Sequence, residues 1–433
     1  MTPYIAPVQT STFFPAQTGV VIVGAGIVGL TAALVLRERG VPVVVVEKGR
    51  IAAEQSARNQ GWIRKTSRSV PDIPLAVAAD TLWAGLTARV GQDVGYRQSG
   101  VLFLAATEAE MAVQERWSAA TRGMALGSRL LSAVEINNFV PGGQRKWEGG
   151  IYTASDGRAE PSLAASAIAN AAIKCGAVVV ENCAARTLVT TGGRVSGIVT
   201  ERGEIRCGAV LLAGGLWSRR FLANERVELP TLPLILSVVR TEPFQGPSDI
   251  AVGGPDFSFR KRLDGGYTIT QRAAVKAPIT LDHLLIGRRY LPVLRHQRNL
   301  LRISLGAEFF RDLQLARRWS ADDITPFEKV RTMDPPVDRG INSEALRNLR
   351  AAWPVFEKAA VAEEWAGAMD VTPDSLPVIG PVAPIPGLTL ATAFSGHGFG
   401  TAPAAGQLAA DLVMNVTPIV DPVPYQFERF SRL

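Results

Sequence analysis

The pattern of hydrophobic and polar positions near the N-terminus is typical of a strand–helix–strand unit. Residues 20–23 form the β-branched run VVIV, as in a buried parallel strand. A glycine-rich turn follows, and then the segment LTAALVLRER, which is rich in strong helix formers. Gly40 stands where a helix C-terminal cap belongs, and a second apolar run, 41–46, comes directly after it. The pattern therefore predicts a βαβ unit.

The turn of this unit has the spacing G-x-G-x-x-G, formed by Gly24, Gly26 and Gly29. The first glycine permits a tight turn, the second lets the backbone approach a pyrophosphate, and the third lets helix and strand pack closely. Glu47 ends the second strand, where its carboxylate can accept hydrogen bonds from a ribose 2′-hydroxyl. The same carboxylate would repel a 2′-phosphate, so the motif predicts FAD or NAD.

Further along the chain, the pattern predicts both strands and helices. Residues 96–105 read as a strand, and 177–212 alternate short apolar runs with glycines, as in a β-meander. Two apolar runs within 257–270 flank Asp-Gly-Gly, a hairpin turn. Residues 283–318 are mostly helical in pattern, and a last helix is predicted over about 402–413.

Composition limits the kind of protein. A chain of 433 residues that is 47% hydrophobic and 20% charged is globular, with roughly two or three domains. The net charge of +7 comes without a basic stripe, which argues against nucleic acid as a partner. The basic excess favours anionic substrates and is compatible with peripheral association with a membrane surface.

Residue usage also excludes several chemistries. The three cysteines form no C-x-x-C pair, and the three histidines lie far apart, so we expect no disulfide framework and no metal site. No G-x-S-x-G elbow supports a nucleophilic serine. Demanding chemistry is therefore expected to belong to an organic cofactor.

We expect a soluble, cytoplasmic protein. Residues 1–18 lack the basic region and continuous apolar core of a secretory signal. Residues 19–36 are apolar enough to suggest a membrane span, but their three glycines fit the strand–turn–helix better.

Four ordered segments resemble the FAD-dependent oxidoreductases of the D-amino-acid oxidase, glycine oxidase and sarcosine oxidase type. The resemblance covers about residues 19–425. It rests on the nucleotide motif, on SARNQG (56–61), on VLLAGGLWS (210–218), and on TPDSLPVIGP followed by SGHGFGTAPAAG. In this family the second segment passes beneath the flavin ring, and the last forms a C-terminal signature.

The resemblance implies an α/β fold with a doubly wound, Rossmann-like FAD-binding domain that is discontinuous in sequence, and an antiparallel-sheet α+β substrate domain. We expect residues 19–95, 150–225 and 355–425 to form the FAD-binding domain. Residues 96–149 and 226–354 would form the substrate-binding domain.

The resemblance also implies which residues contact FAD. Bare backbone N–H groups near residues 396–400 could stabilise negative charge at the N1–C2=O edge of a reduced flavin. The expected cofactor contacts are Gly24, Gly26, Ile27, Val28, Gly29, Glu47, Lys48, Ser56, Arg58, Asn59, Gln60, Gly61, Ala185, Gly214, Gly215, Trp217, Gly396, His397, Gly398, Phe399, Gly400 and Thr401.

The activity that the resemblance implies is oxidation of an amino acid or secondary amine. A hydride passes from the carbon bearing the amine to flavin N5, and the resulting imine hydrolyses. Oxygen or a quinone-type acceptor would reoxidise the flavin. The candidate residues for the substrate side are Arg64, Arg260, Tyr267, Gln271, Arg272 and His397.

Each candidate has an alternative interpretation. Arg64 could hold a substrate carboxylate as a bidentate pair, or it could be a structural ion-pair residue. A shift of one residue in the 257–271 hairpin would turn its polar side chains away from the pocket. His397 is expected to contact flavin or substrate rather than transfer protons, or to be an ordinary loop residue.

Two further functions remain open from the sequence. The chain could be a flavin-carrying subunit of a larger electron-transfer dehydrogenase complex, inactive by itself. A role on modified tRNA bases is the least favoured, because no methyltransferase-like segment is attached. The sequence identifies neither the substrate and its chirality nor the oligomeric state.

We predict that the purified protein is yellow and releases FAD, not FMN, on denaturation. The reason is Glu47, because FMN lacks the adenosine ribose that this residue would hold. Covalent members carry a cysteine near the Thr-Pro-Asp segment, whereas no cysteine follows Cys207 in this chain. The check is chromatography of the supernatant after acid precipitation, and flavin retained in the protein pellet would contradict non-covalent binding.

Overall fold

The computed structural model describes residues 2–432 of the chain, and the backbone alone at 293, 296, 297 and 432. A six-stranded sheet forms the first of two large layers. Its strands pair in parallel except for the first, which is antiparallel to its neighbour. Their spatial order is Val378–Pro381, Leu388–Thr392, Ala209–Leu212, Val20–Val23, Val43–Val46 and Val178–Val180.

Helices cover one face of this sheet, and a small antiparallel sheet covers the other. The apolar side chains of Ile27–Glu38, Pro161–Lys174 and Gly398–Met414 join one buried core. On the opposite face, the three strands Ala185–Thr191, Arg194–Thr200 and Gly203–Arg206 form the predicted meander. The first layer thus has the Rossmann-like arrangement that the resemblance implies, with an antiparallel sheet covering one of its faces.

The close packing of this layer starts at the glycine motif. Gly24 has a left-handed φ of 105°, and a Cβ there would lie 2.6 Å from the Ala213 carbonyl oxygen. A Cβ on Gly29 would lie 2.3 Å from the Gly24 carbonyl oxygen. Side chains at these positions would push the helix off the strand, which explains the motif in this chain.

A second, larger sheet carries the other half of the protein. The long strand Val361–Val371 pairs only with Leu232–Thr241 among the strands described and is not part of the linear strand order of this sheet. The path itself runs in the order Leu301–Ser304, Val275–Pro278, Leu232–Thr241, Tyr267–Thr270, Ser258–Lys261, Ala251–Gly253, Val101–Ala105, Gly149–Thr153 and Ser128–Leu131. Two short strands, Trp62–Ile63 and Gly157–Arg158, form a separate ribbon.

One face of the second sheet packs on an aromatic core. Trp353 is fully buried there against Phe257 and Phe259 at edge-to-face angles, and the helix Arg339–Ala352 covers it. The α-helices of the described residues are Ile27–Glu38, Gln55–Arg58, Ile73–Val90, Glu108–Thr121, Ala133–Phe139, Pro161–Lys174, Ser218–Asn224, Leu281–Ile286, Leu291–Gln297, Ala307–Gln314, Pro326–Lys329, Arg339–Ala352 and Gly398–Met414. Within the described part of the chain, no helix combines the length and apolarity that crossing a bilayer requires.

The structure differs from the expected domain ranges at two strands. Gly149–Thr153 and Val361–Val371 pair within the second sheet, although residues 150–153 and 361–371 were expected in the first domain. Strand pairing over a long sequence separation decides their place, and apolar content alone does not reveal it. In the segment 283–318, Leu301–Ser304 is a strand between helices because it pairs in parallel with Val275–Pro278.

A buried ion pair ties the two layers together. Arg260 donates from Nη1 to Glu160 Oε1 at 2.7 Å and from Nη2 to Oε2 at 3.2 Å, and both side chains are almost fully buried. Glu160 stands directly before the helix Pro161–Lys174, and Arg260 lies in the hairpin of the second sheet. Although desolvation opposes ionisation, the charges of Arg260 and Arg262 hold the pKa of Glu160 below its usual value.

We predict that Arg260→Met destabilises the protein by about 3–5 kcal/mol, because it leaves the Glu160 carboxylate buried without its partner. The depressed pKa of Glu160 means that its stabilising effect is present at neutral pH and is lost as the pH falls through that pKa. The difference between parent and variant in the midpoint temperature of thermal unfolding should therefore become smaller as the pH is lowered.

The matched control is Arg129→Met, which removes an arginine paired with Glu135 at the surface. It should lower the midpoint little. Equal losses in the two variants would show that burial of the Glu160–Arg260 pair has no special effect.

Candidate functional site

A cavity of about 560 Å³ reaches from the glycine motif of the first layer to residues of the second sheet. Gly24, Gly26 and Glu47 line it in the first layer. Phe103 and Arg272 line it from the second sheet and its loops. The cavity is therefore built by both layers.

Glu47 is held by the backbone around the first turn. Its Oε2 accepts a hydrogen bond from the Ala25 N–H at 2.9 Å, and its Oε1 accepts one from the Gly49 N–H at 2.8 Å. Burial raises the pKa of this carboxyl, while Lys48 and the two N–H groups act against the rise. Each carboxylate oxygen keeps a further lone pair for a hydroxyl group.

The first helix begins at the cavity wall. Its N-cap residue, Gly26, offers no side-chain cap, and Ser56 Oγ accepts the hydrogen bond of the Ile27 N–H at 2.9 Å. Gly26, Ile27 and Val28 all line the cavity. The positive end of the helix dipole is thus directed at the space where a pyrophosphate would lie.

The loop that follows the helix Gln55–Arg58 is fixed by its own amide side chains. Asn59 Oδ1 accepts from the Gly61 N–H at 2.8 Å, and Asn59 Nδ2 donates to the Ser56 carbonyl at 2.8 Å. Gln60 Nε2 donates to Thr270 Oγ1 on the hairpin. These contacts fix the loop against the second sheet.

Glu54 is a polar lining residue that sequence analysis missed. It accepts hydrogen bonds from Lys48 Nζ at 2.7 Å, from Trp217 Nε1 at 3.0 Å and from the Met333 N–H at 2.9 Å. The Lys48 ammonium also lies 4.5 Å from the Trp217 ring centroid. The sequence holds no signal for this cluster, because its members come from three separate segments, around residues 48–54, 217 and 333.

Arg64 lies in the cavity wall beside the last helix. One nitrogen, Nη1, donates to the Thr66 carbonyl, and Nη2 is 3.3 Å from His397 Nε2. Removal from water, together with the charges of Arg68 and Arg272, lowers the pKa of Arg64 to about 9, so it stays charged at neutral pH. Arg68 itself is paired with the buried Asp72 at 2.5 Å.

His397 is held neutral. Burial and the adjacent Arg68 and Arg64 lower its pKa well below the ordinary value. The residue caps the helix Gly398–Met414, whose first three residues line the cavity. A second helix N-terminus therefore faces the same cavity.

Arg272 and Gln271 approach from the hairpin. Arg272 Nη1 donates to the Gly254 carbonyl at 2.9 Å, and its guanidinium carbon lies 4.5 Å from the centroid of the Phe103 ring. Gln271 is almost fully buried, and its Oε1 accepts from the N–H groups of Arg272 and Ala273. Both residues line the cavity.

Most of the residues expected at the cofactor or the substrate line this cavity. Gly29 and Thr401 do not, since Gly29 packs on the strand and Thr401 bonds back to the His397 carbonyl. Arg260 and Tyr267 also lie elsewhere. Arg260 is held by Glu160, and Tyr267 is buried in the aromatic core with its hydroxyl on the Ser248 carbonyl.

The other sequence-predicted residues all line the cavity. They are Gly24, Gly26, Ile27, Val28, Glu47, Lys48, Ser56, Arg58, Asn59, Gln60, Gly61, Arg64, Ala185, Gly214, Gly215, Trp217, Gln271, Arg272, Gly396, His397, Gly398, Phe399 and Gly400. Apolar lining residues that sequence analysis missed include Phe103, Leu234, Leu236 and Met369.

Residues for other cofactor chemistry are not brought together in the described part of the chain. No group of three or more His, Cys, Asp or Glu side chains there could hold a metal ion. None of the three cysteines lines the cavity.

The two helix N-termini, the Glu47 carboxylate and the two-layer cavity are typical of a dinucleotide-binding protein. The sequence profile of the FAD dependent oxidoreductase (DAO) family matches residues 19–412, and this chain belongs to that family. FAD is therefore its cofactor. The residues present fit that cofactor: the Glu47 carboxylate would accept hydrogen bonds from the ribose, and the N-terminus of the helix Gly398–Met414 would face the flavin edge.

Relatives of known activity are similar over nearly the whole chain. An L-amino acid deaminase from Proteus myxofaciens, solved in complex with anthranilate, superposes with a TM-score of 0.95 at 31% identity, covering 99% of this chain and 97% of that one. A glycine oxidase from Pseudomonas aeruginosa is 29% identical, covering 94% of this chain and 97% of the relative. Sarcosine oxidase subunit beta from Rhodobacter capsulatus is 25% identical, covering 91% of this chain and 84% of that subunit.

We predict that Glu47→Ala weakens FAD retention while leaving flavin reduction nearly normal when FAD is in excess. Losing a hydrogen bond from a hydroxyl to a carboxylate costs on the order of 1.5–3 kcal/mol, or roughly ten- to 150-fold in affinity. The measurement is the FAD dissociation constant by fluorescence titration of the apoprotein.

Glu47→Gln is the matched control, since it keeps an acceptor for the ribose and for one backbone N–H. It should lose less affinity than Glu47→Ala. Parent-like affinity in Glu47→Ala would show that this residue does not bind the ribose.

Proposed function

We propose that this protein catalyses the FAD-dependent oxidation of an amino acid or secondary amine to an imine, which hydrolyses in water. The observation that carries this proposal is the position of Arg64. It is a charged, half-buried guanidinium facing the cavity beside the N-terminus of the last helix. Such a group suits the carboxylate of an amino-acid substrate.

The bound flavin would supply the acceptor for the hydride that leaves the substrate carbon. Around it, the chain's own residues would orient and desolvate the substrate. Leu234, Leu236 and Met369 give the cavity an apolar wall, and Arg64 would hold the carboxylate so that the carbon bearing the amine faces the ring.

Proton transfer by a side chain has little support at this site. His397 is uncharged at neutral pH because burial and two arginines disfavour its cation. A substrate that binds with a neutral amine needs no protein base for hydride loss, since the nitrogen lone pair drives it. The residues therefore act mainly by alignment and electrostatics.

The alternative function is a flavin-carrying subunit of a larger dehydrogenase complex. It is supported by the similarity to sarcosine oxidase subunit beta. Turnover of the isolated chain with oxygen, or with a quinone analogue, separates the two. Flavin that is reduced by substrate but not reoxidised by either acceptor would favour the complex.

We predict that Arg64→Met impairs substrate use more than Arg64→Lys, because the lysine keeps the charge and loses only the planar fork. If the arginine binds ground state and transition state equally, KM should rise with little change in kcat. If it mainly orients the C–H bond, flavin reduction should slow as well. Anaerobic stopped-flow reduction measures both effects.

The control is Arg339→Met, whose parent side chain is 85% exposed and does not line the cavity. It should behave like the parent. Unchanged reduction by Arg64→Met at every substrate concentration would remove Arg64 from the site and favour Arg272.

A further inference from the structure

Two arginines face the cavity near one aromatic ring. The guanidinium carbons of Arg64 and Arg272 lie 5.4 and 4.5 Å from the centroid of Phe103. Among the described residues, neither guanidinium forms an ion pair with a carboxylate. Arg64 contacts the Thr66 carbonyl and His397, and Arg272 contacts the Gly254 carbonyl.

The charges nearby do not neutralise this pair. Arg68 is already compensated by Asp72. Behind the cavity wall, Lys65 lies 2.5 Å from Asp80 and 3.2 Å from Asp156, and neither carboxylate lines the cavity. Asp156 partly supports the Arg64 cation through space, but it makes no hydrogen bond to it.

The acidic residues that do line the cavity are engaged elsewhere. In the described part of the chain they are Glu47, which binds the backbone of the first turn, and Glu54, which binds Lys48 and Trp217. A single substrate carboxylate would neutralise only one of the two arginines. The other would remain without an anionic partner in the cavity, where Arg272 is exposed and can bind a second anion.

A buried donor stands beside the second arginine. Gln271 Nε2 has no hydrogen-bond partner, although the side chain is only 2% exposed. Its Oε1 accepts two backbone N–H groups, so the amide nitrogen is the end left for a ligand. An unsatisfied buried N–H and an unpaired guanidinium, on consecutive residues that line the same cavity, are suited to carboxylate oxygens.

We infer that the substrate carries two anionic groups, as in an acidic amino acid or a dicarboxylic amine. Arg64 holds the carboxylate next to the reacting carbon, and Arg272 with Gln271 holds the second. This inference rests on the proposed function, because it names the substrate class of the same site. Under this inference, Arg272 is the residue that determines the preference for substrates with a second carboxylate.

The test compares ligands that differ only in the second carboxylate. Succinate and butyrate are titrated into the FAD-loaded protein, and binding is followed by the change in flavin absorbance. Succinate should bind roughly ten-fold or more tightly than butyrate, since each charged contact contributes at least that factor. Arg272→Met should weaken succinate alone, whereas Arg64→Met should weaken both ligands.

Controls separate binding from folding. Arg272→Lys should recover part of the preference for succinate, and Arg339→Met should leave it unchanged. FAD content and thermal midpoint are measured for each variant, so that loss of the fold is recognised. Equal affinity of the parent for succinate and butyrate, or equal weakening of both ligands by Arg272→Met, would overturn the inference.

Substrate tests distinguish failure of the inference about two anionic groups from failure of the proposed function. Both enantiomers of glutamate and glutamine are mixed anaerobically with the protein, together with N-carboxymethylglycine and N-methylglycine. Faster flavin bleaching by the diacids supports the inference. Equal bleaching by diacids and monoacids overturns it and leaves the proposed function standing. If no amine in a broad panel bleaches the flavin, the proposed function itself fails.

Discussion

The rest of the structure depends on one close approach of backbone at the start of the chain. The first helix can lie on its strand, and the strand beside Ala209–Leu212, only because Gly24 and Gly29 lack side chains. A methyl group at either position would meet a carbonyl oxygen well inside contact distance. This approach directs the helix N-terminus into the cavity, so the packing constraint and the anion-binding property have the same cause.

The second constraint is the joining of the two layers. A cavity between two sheets keeps its shape only if the sheets cannot slide, and buried polar contacts provide this. Arg260 joins Glu160 to the hairpin, and Gln60 joins the loop beside the cavity to Thr270. The hairpin thereby has a double role, because its buried polar residues fix the layers while Gln271 and Arg272 at its end face the cavity.

The sequence predicted the first layer better than the second. The glycine motif, Glu47 and the 396–400 segment act through local backbone geometry, which residue spacing encodes. All of them except Gly29 line the cavity. The hairpin was also predicted, but not which of its arginines faces inward. Arg260 and Arg272 have the same chemistry, and only Glu160, distant in sequence, determines that Arg260 is structural. The strand Val361–Val371 was assigned to the wrong layer for the same reason, since its partner lies far away in sequence.

The two parts of the cavity differ in how their positive charges are paired. Three of the lining cations away from Arg64 and Arg272 form ion pairs: Lys48 with Glu54, Arg58 with Asp334 and Arg331 with Glu201. Arg50 also lines the cavity and is exposed. Near the last helix, Arg64 and Arg272 have no carboxylate partner among the described residues, and burial, together with Arg68 and Arg64, holds the pKa of His397 well below its usual value. An arginine that faces a cavity without a carboxylate partner is available to pair with an anionic ligand. Burial and the neighbouring arginines therefore disfavour a protonated His397, so the proposed reaction would depend on orientation and electrostatics rather than on an acid from this residue.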